Sequence, residues 1–362
     1  MNVVSICSAR PNFVKLAAIH HAITVVPDIT HRIIHTGQHH DPLFSDVFFK
    51  ELNIPQPDVN LEIHGGTNEE QQKRVEEALR ASFSSNRPDL VMVYGDVNGA
   101  VAAARAAHGL QIPLAHIEAG LRSGDLSMPE EHNRIAIDTV ADLLFVTEQS
   151  GIDHLKQEKV KGKAFLVGNT MIDTLVRMMP KINGLQMPIK MKKPYGVITL
   201  HRPSNVDDQS RLTKIAEFLS DVSSTIPLIF PIHIRTTKRI DEWKLGDTFG
   251  PNIRMENPLP YLEFLRVIRD AAFVLTDSGG IQEETTYLKI PCFTLRPNTE
   301  RPATITVGSN RLVDLDRDAD RQMILDCANG KQCPSGGIPE LWDGDAGKRI
   351  VDLLLKELPK LR

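Results

Sequence analysis

The feature that most restricts the fold is an alternation of short apolar runs with longer amphipathic stretches, which repeats along the chain and then starts afresh. Val3-Val4-Ser5-Ile6-Cys7 reads as a strand and residues 13–23 as a helix; further strand-like runs cover 32–35, 90–94, 114–117, 143–146 and 165–167. Helical stretches such as 69–83 and 99–107 separate most of them. This is the β-α-β pattern of a parallel, doubly wound α/β sheet. It restarts at 195–200 and continues through 228–230, 273–275 and 292–295. A chain of 362 residues is too long for one ordinary core and comfortable for two. The polar, basic, proline-containing stretch 180–194 sets the hinge within 168–194. The expected division is therefore an N-terminal Rossmann-like domain, 1–168, and a C-terminal one, 169–345, with a last helix at about 346–362 able to pack back on the first. Two such domains facing each other leave a cleft at the carboxyl ends of their strands.

Composition excludes several classes of function. A net charge of −4 and only 5% aromatic residues argue against a nucleic-acid footprint or base-stacking platforms. No stretch has the apolar length of a bilayer span, and the short apolar run at the start lacks a basic flank, so a cytoplasmic location is expected. Cys7 and Cys292 lie in apolar runs and read as buried thiols. Cys327 and Cys333 can pair, but a reduced state is the simpler expectation. No metal-ligand spacing, GxGxxG or GxSxG follows the strands, so neither a metal nor a nicotinamide cofactor is implied.

The chemistry-bearing residues cluster just after the strand-like runs, where ligands bind in such sheets. Thr276-Asp277-Ser278-Gly279-Gly280 joins a strand to a helix start, expected near 285, and makes an anion seat. A carboxylate beside a phosphate repels it, so at least one of Glu283 and Glu284 should point past the phosphate towards hydroxyl groups, as in a nucleotide or a nucleotide sugar. Arg10 offers a fork for phosphate; Lys15 taken alone reads as a solvated cation, and Asp96 as a helix N-cap. Glu118 either pairs with Arg122 or faces the cleft. Ser127 and Glu130 fit a capping box, and Glu130 and Arg134 an i,i+4 pair. His201, at the end of the first strand of the second half, is a candidate proton carrier or phosphate donor.

The order of these segments resembles the non-hydrolysing UDP-N-acetylglucosamine 2-epimerases. The resemblance rests on Arg10-Pro11, Thr36-Gly37-Gln38-His39, Gly95-Asp96-Val97-Asn98, His116-Ile117-Glu118-Ala119-Gly120-Leu121-Arg122, Pro129-Glu130-Glu131-His132-Asn133-Arg134, His201-Arg202, Asp277 through Glu284, and Thr299-Glu300-Arg301-Pro302. It implies a GT-B fold and reversible inversion at C2 of UDP-N-acetylglucosamine through elimination and re-addition of UDP. It implies Asp96, Glu118, Glu130 and His201 as catalytic residues, with Arg10, Lys15 and Arg134 as basic residues of the cleft. Ser278, Gly279 and Gly280 would hold the diphosphate, Glu284 the ribose and Phe264 the uracil, with Arg301 a further candidate; Gln38 and His39 match part of a second, activating UDP-sugar site. It also implies a homodimer acting in surface-polysaccharide synthesis. The chain departs from the family at Val97-Asn98-Gly99-Ala100, Pro203-Ser204-Asn205 and His233-Ile234-Arg235, which leaves a related UDP-sugar such as a diacetamido uronic acid as an alternative substrate. A GT-B glycosyltransferase and a non-catalytic UDP-sugar-binding regulator are the rival readings.

Overall fold

The computed structural model describes residues 1–37 and 42–361. The chain divides into two compact units, Met1–Met178 with Glu340–Arg362, and Met179–Pro339.

The first unit holds strands β1 (Asn2–Cys7), β2 (Thr30–His35), β3 (Val59–Asn60), β4 (Leu90–Tyr94), β5 (Leu114–Ala119), β6 (Leu143–Val146) and β7 (Lys163–Leu166). Helices α1 (Arg10–Ile23), α2 (Pro42–Glu51), α3 (Asn68–Ser85), α4 (Asn98–Gly109), α5 (Pro129–Val140), α6 (Gln149–Gln157) and α7 (Thr170–Gly184) follow them in turn. The strands are parallel, in the order β3-β2-β1-β4-β5-β6-β7. The order reverses between β1 and β4, and their carboxyl ends mark the crevice where such sheets take ligands. Strands β4, β5 and β6 are buried along their whole length, which is why they read as continuous apolar runs.

The second unit repeats the plan with β8 (Gly196–Thr199), β9 (Leu228–Pro231), β10 (Ile253–Glu256), β11 (Phe273–Thr276), β12 (Cys292–Thr294) and β13 (Asn310–Leu312), in the order β10-β9-β8-β11-β12-β13. Its helices are α8 (Pro203–Val206), α9 (Gln209–Ser223), α10 (Ile234–Glu242), α11 (Tyr261–Arg269), α12 (Gly279–Leu288), α13 (Ala303–Thr306) and α14 (Asp318–Ala328).

Two helices begin earlier than expected. Helix α1 starts at Arg10 because Asn12 reaches back: its side-chain oxygen accepts from the N–H groups of Ser8 (3.0 Å) and Ala9 (3.1 Å), and its Nδ2 donates to Tyr94 O (2.9 Å). Helix α12 starts at Gly279, not near residue 285. The cysteine expectation is corrected: Cys327 and Cys333 form a disulfide. The turn after α14 brings their Cα atoms within 4.6 Å, with Gly330 N–H donating to Cys327 O (3.0 Å). Cys7 and Cys292 are buried free thiols.

The division between units falls inside α7, beyond the expected 168, because the start of this helix packs on α1, with Thr174 Oγ1 donating to Val14 O (2.7 Å). Helix α15 (Ala346–Glu357) completes the same unit. Trp342 is buried and donates through Nε1 to Thr147 O (3.1 Å). The buried Asp173 accepts from the N–H groups of Ala346 (3.1 Å) and Gly347 (2.6 Å). Burial raises the Asp173 carboxyl from 3.8 to about 6, against the opposing pull of those two N–H donors.

A folded-state pKa above the unfolded value means the native state binds the proton more tightly. Asp173 therefore contributes most below pH 4, loses that contribution as pH rises to about 6, and is constant above. D173A, which orphans two buried N–H groups, should cost about 1–3 kcal/mol. Hydrogen exchange should show residues 340–361 losing protection first; unchanged protection there would refute this docking role.

Candidate active site

In the first unit the polar groups gather past the ends of β1, β4 and β5. Glu118 lies within β5 but has a left-handed backbone (φ 72°), at a register shift between Ile117 and Ala119 along β6. This bulge turns a side chain out of the strand alternation. Glu118 is buried, and its Oε2 accepts from Lys15 Nζ of α1. Lys15 is therefore no solvated cation, and Glu118 does not pair with Arg122, which instead binds Asp138 (2.8 Å) and Glu158 (2.7 Å). A buried pair of this kind costs about 3–5 kcal/mol to break from one side, because the remaining charge is stranded. The pair leaves no room beside it: a Cβ on Gly95, whose φ is 62°, would sit 2.9 Å from Glu118 Oε2 and 3.0 Å from Lys15 Nζ.

Asp96 follows Gly95 and binds Arg134 Nη2 (2.6 Å), while Arg134 Nη1 binds Glu131 (2.6 Å). The N-cap of α4 is Val97, not Asp96. Arg134 is buried, and Glu130, its expected partner, is exposed with no ion pair among the described residues. The capping box is also absent: Met128 is the N-cap of α5, and Ser127 donates instead to Asp125 Oδ1 (2.6 Å). Glu131 braces the loop before α5, accepting from Ser123 N–H (3.0 Å) and Gly124 N–H (2.9 Å). Asn133 Nδ2 donates to Asp96 O (2.8 Å). Arg10 stands at the first turn of α1, its guanidinium 6.0 Å from the centre of the Phe48 ring. Gln38 and His39 lie outside the described residues.

In the second unit the fully buried Asp277 follows β11. It accepts from the N–H groups of His201 (3.1 Å) and Arg202 (2.9 Å) and from Asn205 Nδ2 (3.2 Å), and lies 3.0 Å from His201 Nδ1. Burial alone would raise this carboxyl, but His201 and the donors hold it below the usual carboxylate range. Half-exposed Ser278, Gly279 and Gly280 then open α12. The first-turn N–H groups of a helix lack intrahelical acceptors and favour an anion. Behind the turn, Arg301 binds Glu283 (3.0 Å) and Glu300, and Arg296 binds Glu300 (2.7 Å). A Cβ at Gly279 would meet Arg301 Nη1 at 2.6 Å, so the network packs directly on the turn. Glu284 accepts from Tyr261 (2.8 Å); burial, reinforced by the charge of Glu283, raises its carboxyl to about 8. Phe264 is half-buried on α11, and its N–H donates to Pro260 O (2.9 Å).

Sequence reading missed the bracing residues: Asp277 and Glu131 as acceptors, the His116–Asp138 pair (2.6 Å), and Tyr261. Asp277 and Glu131 stood inside quoted segments, so their neighbours carried a signal. Asp138 and Tyr261 lie on helices with nothing local to mark them.

G95A, which presses a Cβ against both the ammonium and the carboxylate at positive φ, should lower unfolding stability by about 2 kcal/mol or more. Denaturant unfolding within about 0.5 kcal/mol of wild type would refute the tight contact.

Comparison with known proteins bears on the family and the fold. The family model for UDP-N-acetylglucosamine 2-epimerase matches residues 21–355. The UDP-N-acetylglucosamine 2-epimerase of Methanocaldococcus jannaschii is 37% identical, covering 98% of this chain and 99% of its own. The UDP-2,3-diacetamido-2,3-dideoxy-D-glucuronate 2-epimerase of Pseudomonas aeruginosa is 38% identical, covering 98% and 100%. A crystal structure of the M. jannaschii enzyme in complex with UDP-GlcNAc and UDP superposes with a TM-score of 0.87 at 36% identity, covering 98% of this chain and 100% of that one. The chain is an α/β enzyme of the GT-B class and belongs to the UDP-N-acetylglucosamine 2-epimerase family.

Proposed function

We propose that this enzyme inverts C2 of UDP-N-acetylglucosamine to give UDP-N-acetylmannosamine, reversibly, by eliminating UDP and adding it back. The observation that carries the reading is the pair of acids past adjacent strands, Asp96 after β4 and Glu118 in β5, each bound to a cation. The C2 proton is not beside a carbonyl, so its removal needs help from the leaving group. As the C1–O bond breaks, its electron pair leaves with UDP; an acid residue takes the C2 proton, and the C–H pair forms the C1=C2 bond of a glycal. Re-addition forms the C1–O bond again while a proton arrives on the opposite face of C2. Asp96, Glu118 and Glu130 are the candidate proton carriers, supported by Lys15, Arg134 and Arg10. In the second unit, Ser278, Gly279, Gly280 and His201 would stabilise the diphosphate as charge builds on it, with Arg301 backing the turn. Glu284 would take ribose hydroxyls and Phe264 the uracil end.

The P. aeruginosa relative supports a second reading, a diacetamido uronic acid as the sugar. Of the sequence departures, Asn205 is buried and holds Asp277 and Leu295 O (2.9 Å), so that change serves the fold. Ser204, beside it, is exposed.

Purified protein in D2O with a panel of UDP-sugars and no acceptor should incorporate one deuterium at C2 of its substrate. No exchange with any of them sinks the epimerase reading in favour of a glycosyltransferase or a binding protein. D96N and E118Q should each slow exchange by about 10²-fold or more while UDP still binds.

Glu284 gives a separate prediction. Its carboxyl, raised to about 8, is largely protonated at pH 7 in the unliganded protein. Hydroxyl donors from ribose favour the carboxylate, so UDP binding at pH 7 should release up to about one proton, and the release should vanish above pH 9. Calorimetry in buffers of different ionisation enthalpy measures this; E284Q should abolish the release and weaken UDP binding by about tenfold or more.

A further inference from the structure

We propose that His116 and Asp138 form a charged positioning pair that holds Asp96 and Glu118 in their working arrangement, a role that rests on the catalytic reading of those two acids. Both side chains are wholly buried. His116 lies on β5, two residues before Glu118, and Asp138 on α5. His116 Nδ1 lies 2.6 Å from Asp138 Oδ1, and its Nε2 lies 2.9 Å from Gly95 O. The other carboxylate oxygen of Asp138 accepts from Gly120 N–H (3.1 Å) and pairs with Arg122 Nη1 (2.8 Å). One buried carboxylate thus fastens both sides of Glu118: the 95–96 loop through the imidazole, and residues 120–122 directly.

The ring's partners fix its charge. A carbonyl oxygen only accepts, and so does an ionised carboxylate. The second oxygen of Asp138 takes the Gly120 N–H and the Arg122 guanidinium, the partners of an ionised carboxylate. Both ring nitrogens must therefore donate, and His116 is an imidazolium. The charged groups around it are Asp138 on α5, Arg122 with its second partner Glu158, and the Lys15–Glu118 pair across Gly95. His154 of α6 faces the same corner through Gly120 O (2.9 Å).

The support is needed because Glu118 (φ 72°), Gly95 (φ 62°) and Gly120 (φ 79°) all have positive φ. A non-glycine residue in that region persists only where its surroundings over-determine it. Gly95 N–H donates to Ile117 O (3.0 Å), so Gly95 is tied to β5 at both its N–H and its carbonyl. If the proton on Nε2 is lost, the bond to Gly95 O is lost, and Asp96 and the Lys15–Glu118 pair beside it are free to shift. Displacements of about 1 Å cost catalysis about 10²-fold.

D138N is the test. An amide lacks the charge that favours the second proton of the buried ring, so D138N should lose the imidazolium. The rate of C2 exchange at pH 8 should fall about 10²-fold and rise again as the pH is lowered. KM and the UDP dissociation constant should stay within about twofold. Wild type should show no such titration, and H116Q should lose rate without regaining it at low pH. ¹⁵N NMR of wild type at pH 8 should find both His116 nitrogens protonated, a readout independent of turnover and of whether D138N folds. A singly protonated ring, a D138N rate at pH 8 near that of wild type, or a loss spread equally over KM and kcat without titration would overturn the pair's role. A wild type that exchanges no UDP-sugar would instead overturn the epimerase reading, while the NMR result would still decide the charge of the pair.

Discussion

The first unit is organised around a buried ion pair pressed against a glycine. Lys15 and Glu118 come from opposite directions, one from the first helix and one from a bulge in the fifth strand, and meet over Gly95. Separating either charge from the other in so dry a place is costly, so helix, bulge and loop have to be placed together. The bulge at Glu118 and the positive φ at Gly95 go with bringing that ammonium to that carboxylate. Asn12 contributes from the same helix by binding the backbone at both Ser8 and Tyr94.

The two units solve the same problem with the same device. Each places a fully buried aspartate beneath its functional loops, and each aspartate takes a histidine together with backbone N–H: Asp138 holds His116 and one N–H, that of Gly120, and Asp277 holds His201 and the two N–H groups of His201 and Arg202. Parallel strands end with loops that carry few hydrogen bonds of their own. A carboxylate with several acceptor sites is a compact way to tie such loops to one point. The histidines differ in exposure. His116 is sealed off, whereas His201 presents a partly exposed ring.

The alternation of apolar runs made the sheets legible, because strands buried on both faces must be apolar throughout. Three of the four edge strands were not legible: β3 is two residues long, and β10 and β13 carry Arg254, Glu256 and Arg311 in positions that water reaches. Candidate site residues stood out where glycine, proline and charge cluster after a strand. Their partners were read wrongly wherever proximity in sequence was taken for proximity in space. Arg134 passes over Glu130, four residues away, for Asp96, because α5 lays it against the loop after β4. Lys15 looked like a solvated helix residue because its counter-charge lies on another strand altogether. The disulfide was misjudged because its geometry depends on a turn after α14 that composition does not announce.

The return of the chain to its starting unit bears on how the protein is made. Asp173 and the carbonyl of Thr147 are met by residues 342–347. While the ribosome is still building the second unit, the first has all seven strands yet lacks the helix that covers α1. At ordinary elongation rates that interval lasts roughly ten seconds or more. Throughout that time the face of α1 that α15 covers stays open, so the first unit, though begun first, completes its packing only after the second has been made.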